Sequence, residues 1–189
     1  MRSTRTLTVA ALAAVLATTG CSSQSNAKQP TAEQLVAAGL SALQQGNEKA
    51  ALTAFQSAEQ KDAKNFYAHY NLGTLYQKQG NTTLALQEYG LALEVNPKYV
   101  PALYNSATIY GATNPQLAIT TYKQVIDLQP KAPTAYLNLG LLEAKLGLFA
   151  QAGKDLQKAL EQDGSLATQI PKDVFKKSPA PKPAGSPTP

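Results

Sequence analysis

From residue 32 to residue 166, small and large apolar side chains return with a period of about 34 residues, and polar residues fill the places between them. Superposing Gly46, Gly80 and Gly147, and shortening the chain by one residue between Tyr110 and Ala118, divides the stretch into units 32–65, 66–99, 100–132 and 133–166. In the second unit Leu72 and Tyr76 lie four apart, on one face of a helix, and Gly73 leaves a gap beside them where a neighbouring helix can approach. Ala85, Tyr89 and Ala92, spaced by four and three, do the same on a second helix. Each unit is therefore expected to be a helix, a turn and a helix. Asn47, Asn81 and Asn114 stand where they cap second helices, and Pro115 takes a first helical position, where its missing N–H is not needed. Pro97 and Pro130 end the second helices of their units. No unit can bury its apolar stripe alone, so the four must stack.

The second unit carries His69, Leu72, Gly73 and Tyr76, then Ala85, Tyr89, Ala92 and Pro97. The third repeats the spacing with Leu103, Ala107, Tyr110, Ala118, Tyr122 and Pro130, with Val125 where alanine is usual. The fourth has Tyr136, Leu139, Gly140, Ala152, Leu156 and Ala159, but Glu143 and Gly164 where tyrosine and proline are expected. The first keeps Leu35, Gly39, Ala51, Phe55 and Ala58, with Ala42 and Ala63 at those two places. This pattern resembles the tetratricopeptide repeat. The resemblance implies an all-α fold, an α-solenoid of four helix-turn-helix repeats in a short right-handed superhelix whose first helices line a concave groove. Beyond the fourth unit, residues 167–177 are expected to form a partial cap interrupted by Pro171, with Leu166, Ile170, Val174 and Phe175 covering the last helix.

The resemblance also implies which residues face the groove. They are Tyr67, Tyr70, Asn71, Thr74, Gln77 and Lys78 in unit two, Tyr104, Asn105 and Thr108 in unit three, and Thr134, Leu137, Asn138, Leu141 and Lys145 in unit four. Asn71, Asn105 and Asn138 occupy equivalent places and should form a ladder. An amide side chain offers one acceptor and two donors, the complement of a peptide backbone, so such a ladder could hold an extended segment. Tyr67, Tyr70 and Tyr104 beside it would add rigid contact area. The competing reading is asparagine tolerated on a polar face and tyrosines filling space between helices. The lysine clamp that some members use for a terminal carboxylate is absent, because Glu33, Val36, Pro101 and Tyr104 stand in its places. The expected partner is a protein or peptide.

Composition narrows the chemistry. Among 189 residues there is one His, one Cys, one Met and no Trp, which we read as excluding a zinc-ligand set, a disulfide framework and a Cys/His catalytic pair. His69 is read as a packed core residue without nearby paired carboxylates, and Asp62, Asp127, Asp155 and Asp163 as solvated charges. No phosphate loop, nucleophile elbow or HExxH helix is present, so neither an enzyme nor a cofactor is expected. The net charge of +5 lies in Arg2, Arg5, Lys28 and the lysines from 172 onward, while 32–166 holds ten Lys against eleven acidic residues. No basic face for nucleic acid is expected on the repeats.

Residues 1–20 combine Arg2 and Arg5, an apolar stretch from Leu7 to Ala17 and small residues before Cys21. That is the form of a secretory signal. Thr18-Thr19-Gly20-Cys21 resembles a bacterial lipobox, with Thr18 in place of the usual leucine, and the resemblance implies that Cys21 is acylated and anchored in a membrane. Residues 21–31 read as a polar tether, and 178–189, with five prolines in twelve residues, as an extended tail. The chain is thus expected in the cell envelope, on the extracytoplasmic side, as a membrane-anchored interaction scaffold. The alternatives are an accessory of cell-wall glycan processing or pilus assembly, and a self-associating structural lipoprotein.

Overall fold

The computed structural model describes residues 29–177. The signal segment, Cys21, the tether up to residue 28 and the tail 178–189 lie outside these residues. Eight helices follow one another in antiparallel pairs: α1 (Ala32–Gln44), α2 (Glu48–Lys61), α3 (Phe66–Lys78), α4 (Thr82–Val95), α5 (Val100–Thr113), α6 (Pro115–Leu128), α7 (Pro133–Lys145) and α8 (Phe149–Gln162). A 3₁₀ segment, Gly164–Gln169, and a short α9, Val174–Lys177, complete the described chain.

Helix starts follow local chemistry. Thr31 and Gln34 form a reciprocal capping box on α1. The Oδ1 atoms of Asn47, Asn65, Asn81 and Asn114 accept from the backbone N–H three residues on, opening α2, α3, α4 and α6. The turns inside units one, two and four close at Gly46, Gly80 and Gly147, with φ of 74°, 78° and 79°, a region where a Cβ would be strained. Unit three has no such glycine. There Asn114 ends α5 and caps α6 at once, which accounts for the missing residue.

Within each pair a small residue on the first helix receives a large one from the second. A Cβ on Gly39, Gly73 or Gly140 would stand 2.4, 2.6 or 2.7 Å from Phe55, Tyr89 or Leu156, so only glycine admits these side chains. The core is a row of seams shared by neighbouring units. Phe55 and Ala58 pack with Leu72 and Leu75, Tyr89 and Ala92 with Ala102 and Ile109, Tyr122 and Val125 with Leu139, and Leu156 with the C-terminal segment. Such nearest-neighbour stacking is the physics of a solenoid. The odd-numbered helices touch one another successively, α1 to α3 to α5 to α7, and so form one layer of the stack.

The cap differs from its expected form. It begins at Gly164 rather than 167, and Leu166, Ile170 and Val174 are buried against Leu137, Ala152, Leu156 and Ala159. Phe175, expected to join them, is 39% exposed. Four residues of α9 present one buried position, and Val174 takes it. No described helix is long and apolar enough to cross a membrane.

Candidate peptide-binding groove

The odd-helix layer carries most of the groove residues, and tyrosine dominates its wall. Tyr67 is 51% exposed at the start of α3. Its ring lies 4.1 Å from Phe66 and meets Tyr99 edge-on at 5.9 Å. Tyr70 meets the same Tyr99 edge-on at 5.1 Å and lies 5.9 Å from Tyr89. Tyr104 meets Tyr122 edge-on at 5.8 Å. Edge-to-face packing fixes ring orientation and so stiffens the wall. Burial, with Tyr70 and Tyr67 nearby, pushes the Tyr99 hydroxyl up to about 12, so it stays a neutral donor.

Beside this wall lies an open cavity of about 430 Å³, lined by Tyr70, Val100, Pro101, Tyr104 and Asn105 and by residues 131–135, which lead into the start of α7. Its apolar rings and prolines, with a few polar groups among them, are the usual make-up of a binding cleft.

The three asparagines are not equivalent. Asn105 Nδ2 donates to the hydroxyl of Tyr89 at 3.1 Å, and Asn138 Nδ2 to that of Tyr104 at 2.8 Å. Asn71 Nδ2 instead donates to the carbonyl of Tyr67 on its own helix, at 2.7 Å. One unit back, Phe55 stands in the place of Tyr89 and Val36 in the place of Tyr104, so neither hydroxyl is on offer to Asn71. A uniform ladder is therefore replaced by one back-bonded amide and two that are pinned by tyrosines. Each pinned amide keeps its carbonyl for a ligand, and Asn105 its second N–H, whereas Asn138 also reaches the Tyr122 hydroxyl.

Threonines join the same network. Thr74 and Thr108 bond back to the carbonyls of Tyr70 and Tyr104, and their hydroxyls meet those of Tyr89 and Tyr122 at 3.4 and 3.1 Å. Tyr89 also donates to Gln77 Oε1 at 2.7 Å. Burial raises the affinity of both hydroxyls for their protons.

Other expected groove residues sit elsewhere. Lys78 is paired at 2.5 Å with Glu48 of α2, an exposed contact that contributes at most about 1 kcal/mol. Leu137 is buried in one cluster with Leu166, Ile170 and Val174 of the C-terminal segment and so lines no open groove, while Leu141 packs partly buried against the same cluster. Thr134 lies exposed at the cavity and Lys145 exposed in the last turn of α7. Sequence reasoning missed Tyr99 and the hydroxyl ends of Tyr89 and Tyr122. The recurring Thr74–Tyr89 and Thr108–Tyr122 pairs were the available signal.

Two buried polar clusters also depart from expectation. His69 has carboxylates beside it, with Nδ1 2.9 Å from Glu88 Oε2 and 3.9 Å from Glu59 Oε1, while Nε2 lies 3.0 Å from the Ala63 carbonyl. Burial disfavours the imidazolium, but the Ala63 carbonyl and the two carboxylates outweigh it, and the histidine pKa is raised. For Glu88 burial acts the other way and raises the pKa, against the hydrogen bond from His69. Asp155, read as solvated, lies partly buried beside Glu143, whose own side chain is 1% exposed.

Three family models match the chain. One described as a TPR repeat covers 39–80 and 116–147, and two described as tetratricopeptide repeats cover 66–99 and 133–165. The chain belongs to the tetratricopeptide-repeat proteins. Among curated relatives, this repeat protein is 32% identical over 119 residues to the photosystem I assembly protein Ycf3 of Prochlorococcus marinus strain MIT 9211, covering 61% of this chain and 66% of the relative. Against the Ycf3 of Synechococcus sp. strain WH7803 it is 36% identical over 93 residues, 47% of this chain and 54% of the relative. The chain thus spans about half to two thirds of the length of these relatives. Among solved structures, a crystal structure of MamA matches with a TM-score of 0.67 at 25% identity, over 76% of this chain and 84% of that one. PilF of Pseudomonas aeruginosa matches with a TM-score of 0.62 at 25% identity, over 70% and 61%.

Proposed function

We propose that this repeat protein is a non-enzymatic scaffold that grips an extended peptide segment of a protein partner along its odd-helix layer. In this reading acyl chains on Cys21 hold it on the extracytoplasmic face of a membrane. The observation that carries the binding reading is the stiffened wall of Tyr67, Tyr70 and Tyr104 beside two amides pinned by hydroxyls. Groups held in place before a ligand arrives lose little entropy on binding it. Amides read backbone rather than side chains, so one groove of this kind suits a segment chosen by shape. Relatives named for an assembly role support an adaptor rather than a catalyst. The anchor rests on the Thr18-Thr19-Gly20-Cys21 sequence behind an apolar stretch.

A photoreactive amino acid at Tyr67 or Thr108, introduced in intact cells, is expected to crosslink one and the same protein, while Leu117 on α6 does not. Adducts from Leu117 alone, or none from either groove position, would remove the groove from the account. For the anchor, metabolic labelling with a fatty acid should mark the wild-type chain and not Cys21→Ser. An unlabelled wild type sinks the anchor and leaves the groove standing.

A further inference from the structure

We propose that Glu59, His69 and Glu88 form a site for one divalent transition-metal ion of the zinc class, bridging the first two repeat units. His69 is 3% exposed on α3, and its Nε2 lies 3.0 Å from the Ala63 carbonyl, an oxygen that can only accept. That contact places a proton on Nε2 and, in the neutral ring, a lone pair on Nδ1. Nδ1 then faces two carboxylate oxygens, and the three candidate ligand atoms all lie within 4.8 Å of one another. Three lone-pair donors converging in a buried place require a positive charge among them. A proton shared between His69 and Glu88 meets the need of two; a metal ion meets the need of all three.

The spacing suits an ion. Nitrogen and oxygen ligands at roughly 2.0–2.2 Å from a tetrahedral zinc stand about 3.4 Å apart. The observed separations from Nδ1, 2.9 and 3.9 Å, lie on either side of that value, so small side-chain rotations bring both carboxylates into range. The Ala63 carbonyl holds the ring as the outer partner of a metal-bound histidine usually does, fixing tautomer and orientation. Glu59 is a third exposed on α2, which gives the ion an entrance and leaves room for water as a fourth ligand. One imidazole and two carboxylates form a nitrogen and oxygen set suited to zinc and its neighbours rather than to cuprous ion. Counting only His and Cys in the sequence hides such a site, because two of its three ligands are glutamates.

The test uses the full chain with Cys21→Ser, so that its single thiol plays no part. After chelator treatment it is titrated with zinc against a chromophoric chelator. One ion per chain is expected, bound at least tenfold more weakly in Glu59→Gln and without saturation in His69→Asn. Glu59 is partly exposed, so its amide variant keeps the fold, which circular dichroism checks. Cobalt(II) in place of zinc should give the visible absorption of a low-coordinate nitrogen and oxygen site, absent in Glu59→Gln. No saturable zinc binding to the parent chain, or binding unchanged in Glu59→Gln, overturns the proposal.

Discussion

Glu143 holds the place that Tyr76 and Tyr110 take in the preceding units, and a carboxyl there is out of reach of water. Its Oε2 has no hydrogen-bond partner, and Lys123 Nζ stands 4.0 Å from Oε1, too far to compensate a buried charge. Burial, then hydrogen bonding to Asp155 and its negative charge, push the Glu143 pKa to about 7, with Lys123 pulling the other way. Below that value the protonated carboxyl can donate to Asp155, and the orphaned oxygen disappears. The folded chain therefore holds a proton that the unfolded chain, with its pKa near 4.5, has released. Stability from this group is full below the unfolded value and is lost as pH rises towards 7. Glu143→Gln keeps the shape without the charge, so at pH 8 it is expected to be more stable than wild type by about 1–3 kcal/mol, and at pH 5 nearly equal. Urea melts of both proteins at the two pH values measure this difference, in which titrating groups remote from Glu143 cancel and only its neighbour Asp155 contributes with it. An equal loss of stability in both proteins between pH 5 and pH 8 would show that Glu143 is charged and satisfied in some other way.

At the scale of helices, what acts over three or four residues was legible and what acts between units was not. Asn47, Asn81 and Asn114 read as caps because a cap reaches only three residues ahead, and Asn65 does the same without having been singled out. Gly73 read as a gap for a neighbouring helix because a missing side chain beside Leu72 and Tyr76 admits a close approach, and the side chain that fills it is Tyr89. The sequence carried no comparable sign that His69 would meet Glu88 from the next helix, 19 residues on, or that Asn138 would bond a hydroxyl 34 residues before it. The first depends on how the two helices of one unit lie against each other, the second on the offset between stacked units, and no local pattern encodes either. The same holds for Leu137 and Leu141. Their spacing put them on the odd layer, and only the cluster built with the returning chain at Leu166, Ile170 and Val174 decides that Leu137 is buried and Leu141 partly so. Asn71 shows the limit most plainly, since the residues one unit back, Phe55 and Val36 rather than tyrosines, determine whether its amide is pinned or folded back.

For the whole molecule, shared seams mean that no unit is stable alone and that the ends differ from the middle. Helices α3 to α6 have a packed neighbour on either side, whereas α1 rests on α2 and α3 and leaves Leu40 43% exposed. At the other end the 3₁₀ segment and α9 bury three apolar side chains over α7 and α8, so the fourth unit gains part of what a fifth would have supplied. Opening is then expected to begin at α1 and α2 and to move inwards, with free energies that rise from terminus to centre. Native-state amide exchange should show its slowest amides in α4 to α6, faster ones in α7 and α8, and the fastest helical ones in α1. Weakening the first seam with Phe55→Ala should speed exchange in α1 and α2 far more than in α7 and α8, because the coupling runs only through adjoining units. Uniform acceleration across all eight helices would mean that the stack opens as one body, and the nearest-neighbour description would have to be given up.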